Sequence, residues 1–276
     1  MEEDIASHLP DRGHACSVVL AQLAPVSGVV EPNVAAVVEL AAAHHGADLI
    51  VLPELFLGGY RLDLADELAI DRDGPEIARM RQASAEHDCG IVVGFAERVA
   101  DGVANSAAVI ERGTVAGIYR KTHLFGNERD AYVPGDELEP IEAAGRRLGV
   151  MICFDLEFPE VARTLHHRGA DLFVTPACNP VEFAPDHDLA ARARALENGT
   201  PNVYVNLVGE YGGLSFPGES QLVGPDGRAE LRLGNGPAVV RTDVEAAGHP
   251  DGRLQYDEQF RPELYELETR NQEMPR

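Results

Sequence analysis

Three polar residues stand where apolar runs end. Cys153 follows "GVMI", Glu54 follows "LIVLP", and Lys121 lies just past "VAGIY". A strand that stops at a reactive residue can present it to a cleft. A thiol attacks only as its thiolate. A carboxylate beside it can take the proton and later pass it to a leaving amine. A lysine ammonium is a compact charge with rotatable donors, which suits a developing oxyanion better than arginine's planar fork. Together the three support acyl transfer from an amide to Cys153 and then to water, with the backbone N–H of Phe154 as a second oxyanion donor. Lys121 is the only lysine in the chain, and the other 22 basic residues are arginine. Taken singly, each has a plainer explanation: a small buried thiol, a loop or capping carboxylate, a solvated surface cation.

The elements that must position these residues follow from pattern. Short β-branched or apolar runs predict strands at 16–23, 48–54, 90–99, 147–155, 171–177, 201–209 and 238–244. Helical stretches follow Pro32, run over 74–90 and 159–169, and end at Gly199 after 186–198. Hairpins are expected over 105–121, turning at Arg112-Gly113, and over 219–233, turning through "GPDG". Strands alternate with helices while hairpins intrude, which predicts a layered α/β or α+β domain over 16–244. Residues 1–15 read as an N-terminal extension, and 245–276 as a polar surface-wrapping tail.

The formal net charge of −23 argues against nucleic acid, whose phosphates demand a basic patch, and against anionic membranes. No apolar stretch reaches the length of a membrane span, and the acidic N-terminus lacks a leader's apolar run. Cys16, Cys89, Cys153 and Cys178 form no CxxC pair and no zinc spacing, so a cytoplasmic setting with reduced thiols is expected. Neither GxGxxG nor a Walker loop is present to bind a nucleotide. His44-His45 and His166-His167 are adjacent pairs on helices and diverge, so they read as surface residues.

The segments "LPELFLGGY", "YRKTHLFGNERDAYVPGD" and "MICFDLEFPEVAR", with "NSAAVI", "RARALEN" and "GESQLVGPDG" in support, resemble the nitrilase superfamily of carbon–nitrogen hydrolases in the family's order. The resemblance covers roughly residues 16 to 244. It implies a Glu54–Lys121–Cys153 triad, with Glu128 as a second glutamate that orients substrate and attacking water. It also implies a four-layer α-β-β-α sandwich, no metal, no cofactor, and a homodimer or larger homo-oligomer with C-terminal tails at the interface.

Phe154-Asp155 after the cysteine resembles the amidase branch, since true nitrilases usually carry Trp-Glu there. "CFDLEFPE" is similar to the segment in 5-aminopentanamidase-like enzymes. Relatives that take anionic substrates often place arginine where this chain has Glu157. The reversed sign leads to the expectation that Glu157 meets an ω-amino or ω-guanidino end of a short aliphatic amide. Tyr60, Asn179 and Phe183 are further pocket candidates, and Cys178 reads as structural. An N-carbamoyl amine hydrolase is the competing enzyme; a nitrilase or a non-catalytic binding protein is a weaker fit.

Overall fold

The computed structural model describes residues 16–248 and 256–265; the expected extension 1–15 and residues 249–255 and 266–276 of the expected tail lie outside them. The first half of the chain runs β1 (Cys16–Gln22), α1 (Glu31–Ala43), β2 (Leu49–Val51), α2 (Pro75–Glu86), β3 (Gly90–Val99), β4 (Gly102–Glu111) and β5 (Thr114–Arg120). The second half runs α3 (Glu128–Ala131), β6 (Ile141–Ala143), β7 (Arg146–Val150), α4 (Pro159–His167), β8 (Leu172–Ala177), α5 (Ala184–Asn198) and β9 (Asn202–Asn206). It continues through β10 (Val208–Tyr211), β11 (Leu214–Pro217), β12 (Gln221–Val223), β13 (Ala229–Arg232) and β14 (Ala238–Val244) to a short helix, α6 (Tyr256–Gln259).

Two six-stranded mixed sheets result, ordered β14-β1-β2-β3-β4-β5 and β13-β12-β9-β8-β7-β6, with β10-β11 as a separate hairpin. The period-two alternation of the strands explains the layering. Val18 and Leu20 of β1, Leu49 and Val51 of β2, Val92 of β3 and Val109 of β4 face the second sheet and its Val150, Val174 and Val203. Their neighbours Val19, Ala21, Ile50, Ile91 and Val93 face α1 and α2 through Val34, Val37, Ile77 and Met80. The second sheet is covered on its other side by Val161 and Leu165 of α4 and Ala191 and Ala195 of α5. Strands buried on both faces read as unbroken apolar runs, which is why these segments stood out. The architecture is the expected four-layer α-β-β-α sandwich. Each Val or Leu buried here contributes about 1.5–3 kcal/mol relative to exposure.

Several boundaries differ from the sequence reading. The run 147–155 is strand only to Val150, and Cys153 lies beyond it, on a 3-10 turn over Cys153–Glu157. The strand through "LIVLPE" likewise ends at Val51, because Pro53 cannot donate to a ladder. The expected hairpin 105–121 is the far side of a three-strand meander that pairs β4 with both β3 and β5. Strand 201–209 is split into β9 and β10. Elements of three or four residues, such as α3, β6, β10 and β11, are too short for a periodic signal. From the described part of the tail, the Phe260 ring packs on His167 of α4 and under the Arg163 guanidinium.

Candidate active site

Glu54 reaches its place through an unusually close backbone approach. A Cβ on Gly94 of β3 would meet the Leu55 nitrogen at 2.4 Å and the Pro53 carbonyl at 2.5 Å, so only glycine lets the Pro53–Leu55 turn lie on the strand. β3 then grips that turn at both ends, with Leu52 N–H donating to the Val92 carbonyl (2.9 Å) and Leu57 N–H to the Gly94 carbonyl (3.1 Å). Leu55 holds a left-handed φ of 49°. Lys121 leaves the end of β5 anchored by its backbone, donating to the Asn105 carbonyl at 2.8 Å and accepting from Gly135 N–H at 2.9 Å.

The Lys121 side chain is 0% exposed. Its ammonium lies 2.7 Å from Glu54 Oε1 and 2.8 Å from Glu128 Oε2, so two carboxylates share one cation. Glu54 Oε1 also accepts from Asn105 Nδ2 at 2.7 Å, and Oε2 accepts from Cys178 N–H at 2.7 Å. Glu128 accepts from the Tyr60 hydroxyl at 3.1 Å and from Phe125 N–H at 2.9 Å. Burial alone would depress the lysine pKa, but Glu54 and then Glu128 outweigh it and hold it well above its usual value. Burial pushes the Glu128 carboxyl up, against the pull of Lys121. The answer to the lone lysine is therefore electrostatic: a dry site with two carboxylates needs a compact cation that reaches both.

Cys153 opens the 3-10 turn at φ 48°, in the left-handed region that a side chain seldom adopts. The turn is locked from beneath by Asp155, which is fully buried. Its Oδ1 accepts from the Thr122 hydroxyl (2.8 Å) and His123 N–H (2.9 Å), while Oδ2 accepts from the Tyr119 hydroxyl (2.9 Å) and Ile152 N–H (3.1 Å). One carboxylate thus ties the cysteine turn to the segment carrying Lys121. Arg194 of α5 holds the turn's other end through the Leu156 and Glu157 carbonyls, both at 3.0 Å. Cys153 is 7% exposed. Burial, then the charge of Glu54, raises its thiol well above the usual range, while Lys121 and the Cys178 N–H pull it down. The resting group is the thiol, so attack requires a base in place.

The structure joins Glu54, Lys121, Glu128 and Tyr60 by direct hydrogen bonds and sets Cys153 within their field. Phe154, whose N–H follows the thiol, sends its ring edge-on to Phe125 (5.2 Å), and Phe125 meets Phe183 (5.6 Å). Phe125 and Phe183 are partly exposed, so the three form an aromatic edge. Asn179 is buried and clamped by Asn206, which accepts its N–H at 2.8 Å and donates to its carbonyl at 3.0 Å. Glu157 is placed differently from the expectation. Its carboxylate, 36% exposed, pairs with His187 Nε2 at 3.3 Å. Cys178 is more than a core thiol: besides its N–H bond to Glu54, its Sγ donates to the Glu54 carbonyl at 3.0 Å. Asn105, Asp155, His187 and Tyr204 were missed as site residues. Asp155 alone carried a usable signal, being a carboxylate just past a buried strand, as Glu54 is. A cavity of about 380 Å³ touches this region through Phe154, His123, Arg129 and Tyr132, but none of Cys153, Lys121, Glu54 or Glu128 lines it.

Comparison with known proteins shows the family. Residues 17–245 match the family model described as carbon-nitrogen hydrolase. The chain is 34% identical over 257 residues to a hydrolase in the pqqF 5' region of Pseudomonas protegens, covering 90% of each. It is 35% identical to an (R)-stereoselective amidase of Pseudomonas sp., covering 83% of this chain and 85% of that one. Among solved structures it resembles a mutant amidase from Nesterenkonia sp. AN1 at 28% identity and a TM-score of 0.80, covering 94% of this chain and 98% of that one. That structure carries the acetamide moiety of fluoroacetamide added covalently at its active-site cysteine.

Proposed function

The chain belongs to the carbon-nitrogen hydrolase family, and from that premise we propose that it is a cysteine amidase that converts a short aliphatic primary amide into its acid and ammonia. The carrying observation is the buried Glu54–Lys121–Glu128 cluster beside a strained cysteine turn. Glu54 takes the Cys153 proton as sulfur attacks the amide carbon. Lys121 and the Phe154 N–H receive the developing oxyanion. Glu54 then gives that proton to the nitrogen, the C–N bond breaks, and ammonia leaves a thioester. Water, oriented by Glu128, attacks the thioester with Glu54 again as base, and the acid departs as the Cys153 thiol re-forms.

The raised thiol pKa supports a coupled rather than a prior deprotonation, because a free thiolate would be poorly held there. The covalent cysteine adduct in the Nesterenkonia relative supports Cys153 as nucleophile. We further propose that the acyl part carries a cation at its far end. The net charge of −23 favours a cationic substrate over an anionic one.

The test is ammonia release from a panel of an ω-amino amide, an ω-guanidino amide, a neutral amide, an ω-amido acid, an N-carbamoyl amine and a nitrile. Turnover of amides by the wild-type protein and none by Cys153→Ala is expected. Release of carbon dioxide with ammonia from the N-carbamoyl amine alone, or turnover of the nitrile alone, overturns the amidase reading.

A further inference from the structure

Asn105 touches two of the groups on which the proposed reaction depends. It lies in β4, paired with Ala96 of β3, and the Lys121 N–H donates to its carbonyl at 2.8 Å. Its backbone therefore sets where the lysine leaves β5. Its side-chain Nδ2 donates to Glu54 Oε1 at 2.7 Å, so its carboxamide holds the base. Asn105 is 1% exposed.

The carboxamide is only half engaged. Asn105 Oδ1 is buried and has no hydrogen-bond partner among the described residues. Leaving a buried acceptor unpaired costs stability and is rare. Leucine would fill the same space with no polar atom to strand, so packing does not explain an asparagine here. The residue is kept for its other half, and the 2.7 Å contact fixes which half that is. Lys121 already donates to Glu54 Oε1 at 2.7 Å, so that oxygen has no proton to offer a carboxamide oxygen. Only the N–H₂ group fits against it.

Counting lone pairs distinguishes the two oxygens of Glu54. Oε1 accepts from Lys121 and from Asn105, which occupies both of its sites. Oε2 accepts from the Cys178 N–H at 2.7 Å and keeps one site open. We propose that Asn105 is a positioning residue: it saturates Glu54 Oε1 and so assigns the shuttled proton to Oε2. This rests on the amidase reading above, in which Glu54 is the base. The proton leaves the Cys153 sulfur for Oε2 as the S–C bond forms, and passes from Oε2 to the nitrogen as the C–N bond breaks. Without the Asn105 N–H, Oε1 regains an open site, and the proton can lodge on the oxygen that faces Lys121.

A double-mutant cycle of Asn105→Ala with Glu54→Gln, in the full-length protein, tests this. Asn105→Ala is expected to lower kcat by about tenfold or more and to change KM by less than about threefold. In the Glu54→Gln background the same change is expected to have no further effect, because a positioning residue acts only through the group it positions. Asn105→Leu fills the space and removes the stranded oxygen. It is expected to lose the same activity while its urea midpoint stays at or above that of the wild type, which separates position from folding. Activity restored by leucine, full kcat in Asn105→Ala, or effects that multiply in the double variant overturn the proposal. The same cycle is read on alkylation of Cys153 by a small halide, which needs the base but no amide. If no amide in the panel gives Cys153-dependent ammonia, the amidase reading fails, and the alkylation cycle still decides the role of Asn105.

Discussion

The Lys121 cluster and Glu219, on the turn between β11 and β12, are both polar, yet they are built in opposite ways. Around Lys121 every carboxylate oxygen of Glu54 and Glu128 has a partner, and the ammonium is shut from solvent. Glu219, by contrast, is half-buried and has no side-chain hydrogen bond or ion pair among the described residues. A group that must act in the transition state gains from being fixed beforehand, since no reorganisation is then needed during reaction.

The largest effects should fall on the closed cluster. Cys153→Ala is expected to lower kcat by about 10⁴-fold or more while circular dichroism stays unchanged, because one small side chain is lost from a turn held by Asp155 and Arg194. Retained turnover would break the comparison at its root. Lys121→Met leaves two buried carboxylates without their cation and is expected to cost about 3–5 kcal/mol in urea unfolding. Adding Glu54→Gln should recover part of that stability and none of the activity. The sign of the pH dependence follows from the raised lysine pKa. The stabilisation is fully present below the unfolded value of 10.5 and is lost only as pH rises through the higher folded value. The deficit of Lys121→Met should therefore not shrink on titration from neutral pH up to about that value.

Glu54→Gln sharpens the distinction between charge and proton transfer. The Glu54 charge is second only to burial in raising the Cys153 thiol. Attack by the thiol on any electrophile needs its proton removed, so Glu54→Gln is expected to slow alkylation of Cys153 by a small halide together with amide turnover, the latter by about 10²-fold or more. If turnover falls while alkylation is undiminished, Glu54 acts through position and not as the base.

The sequence made the proposed catalytic residues legible for a physical reason. Strands buried on both faces are unbroken apolar runs, and the polar residue just past such a run must enter a cleft or find a partner. Glu54 and Cys153 obey that rule, whereas Lys121 follows β5, a half-exposed edge strand, and stands out instead as the only lysine in the chain. The supporting shell was not legible, because its bonds are distant in sequence. Cys178 meets Glu54 across 124 residues, Asn105 across 51, and Asp155 meets Thr122 across 33. Asp155 obeyed the strand-end rule, yet only the fold shows the four donors that it gathers. The left-handed φ of Leu55, Cys153 and Glu219 was equally hidden, since none of them is glycine or asparagine.

The smallest effect is the most discriminating. Glu157 drew notice because its charge reverses the sign expected for relatives that bind anions, and charge alone cannot tell a recognition residue from a paired one. In the fold its carboxylate pairs with His187, whose other nitrogen lies on Tyr204. The pair is partly exposed, and such pairs are worth about 0–1 kcal/mol. Glu157→Gln is therefore expected to shift the urea midpoint slightly and to leave the preference for cationic over neutral amides where it was. If Glu157→Gln erases that preference instead, the carboxylate leaves His187 for the substrate.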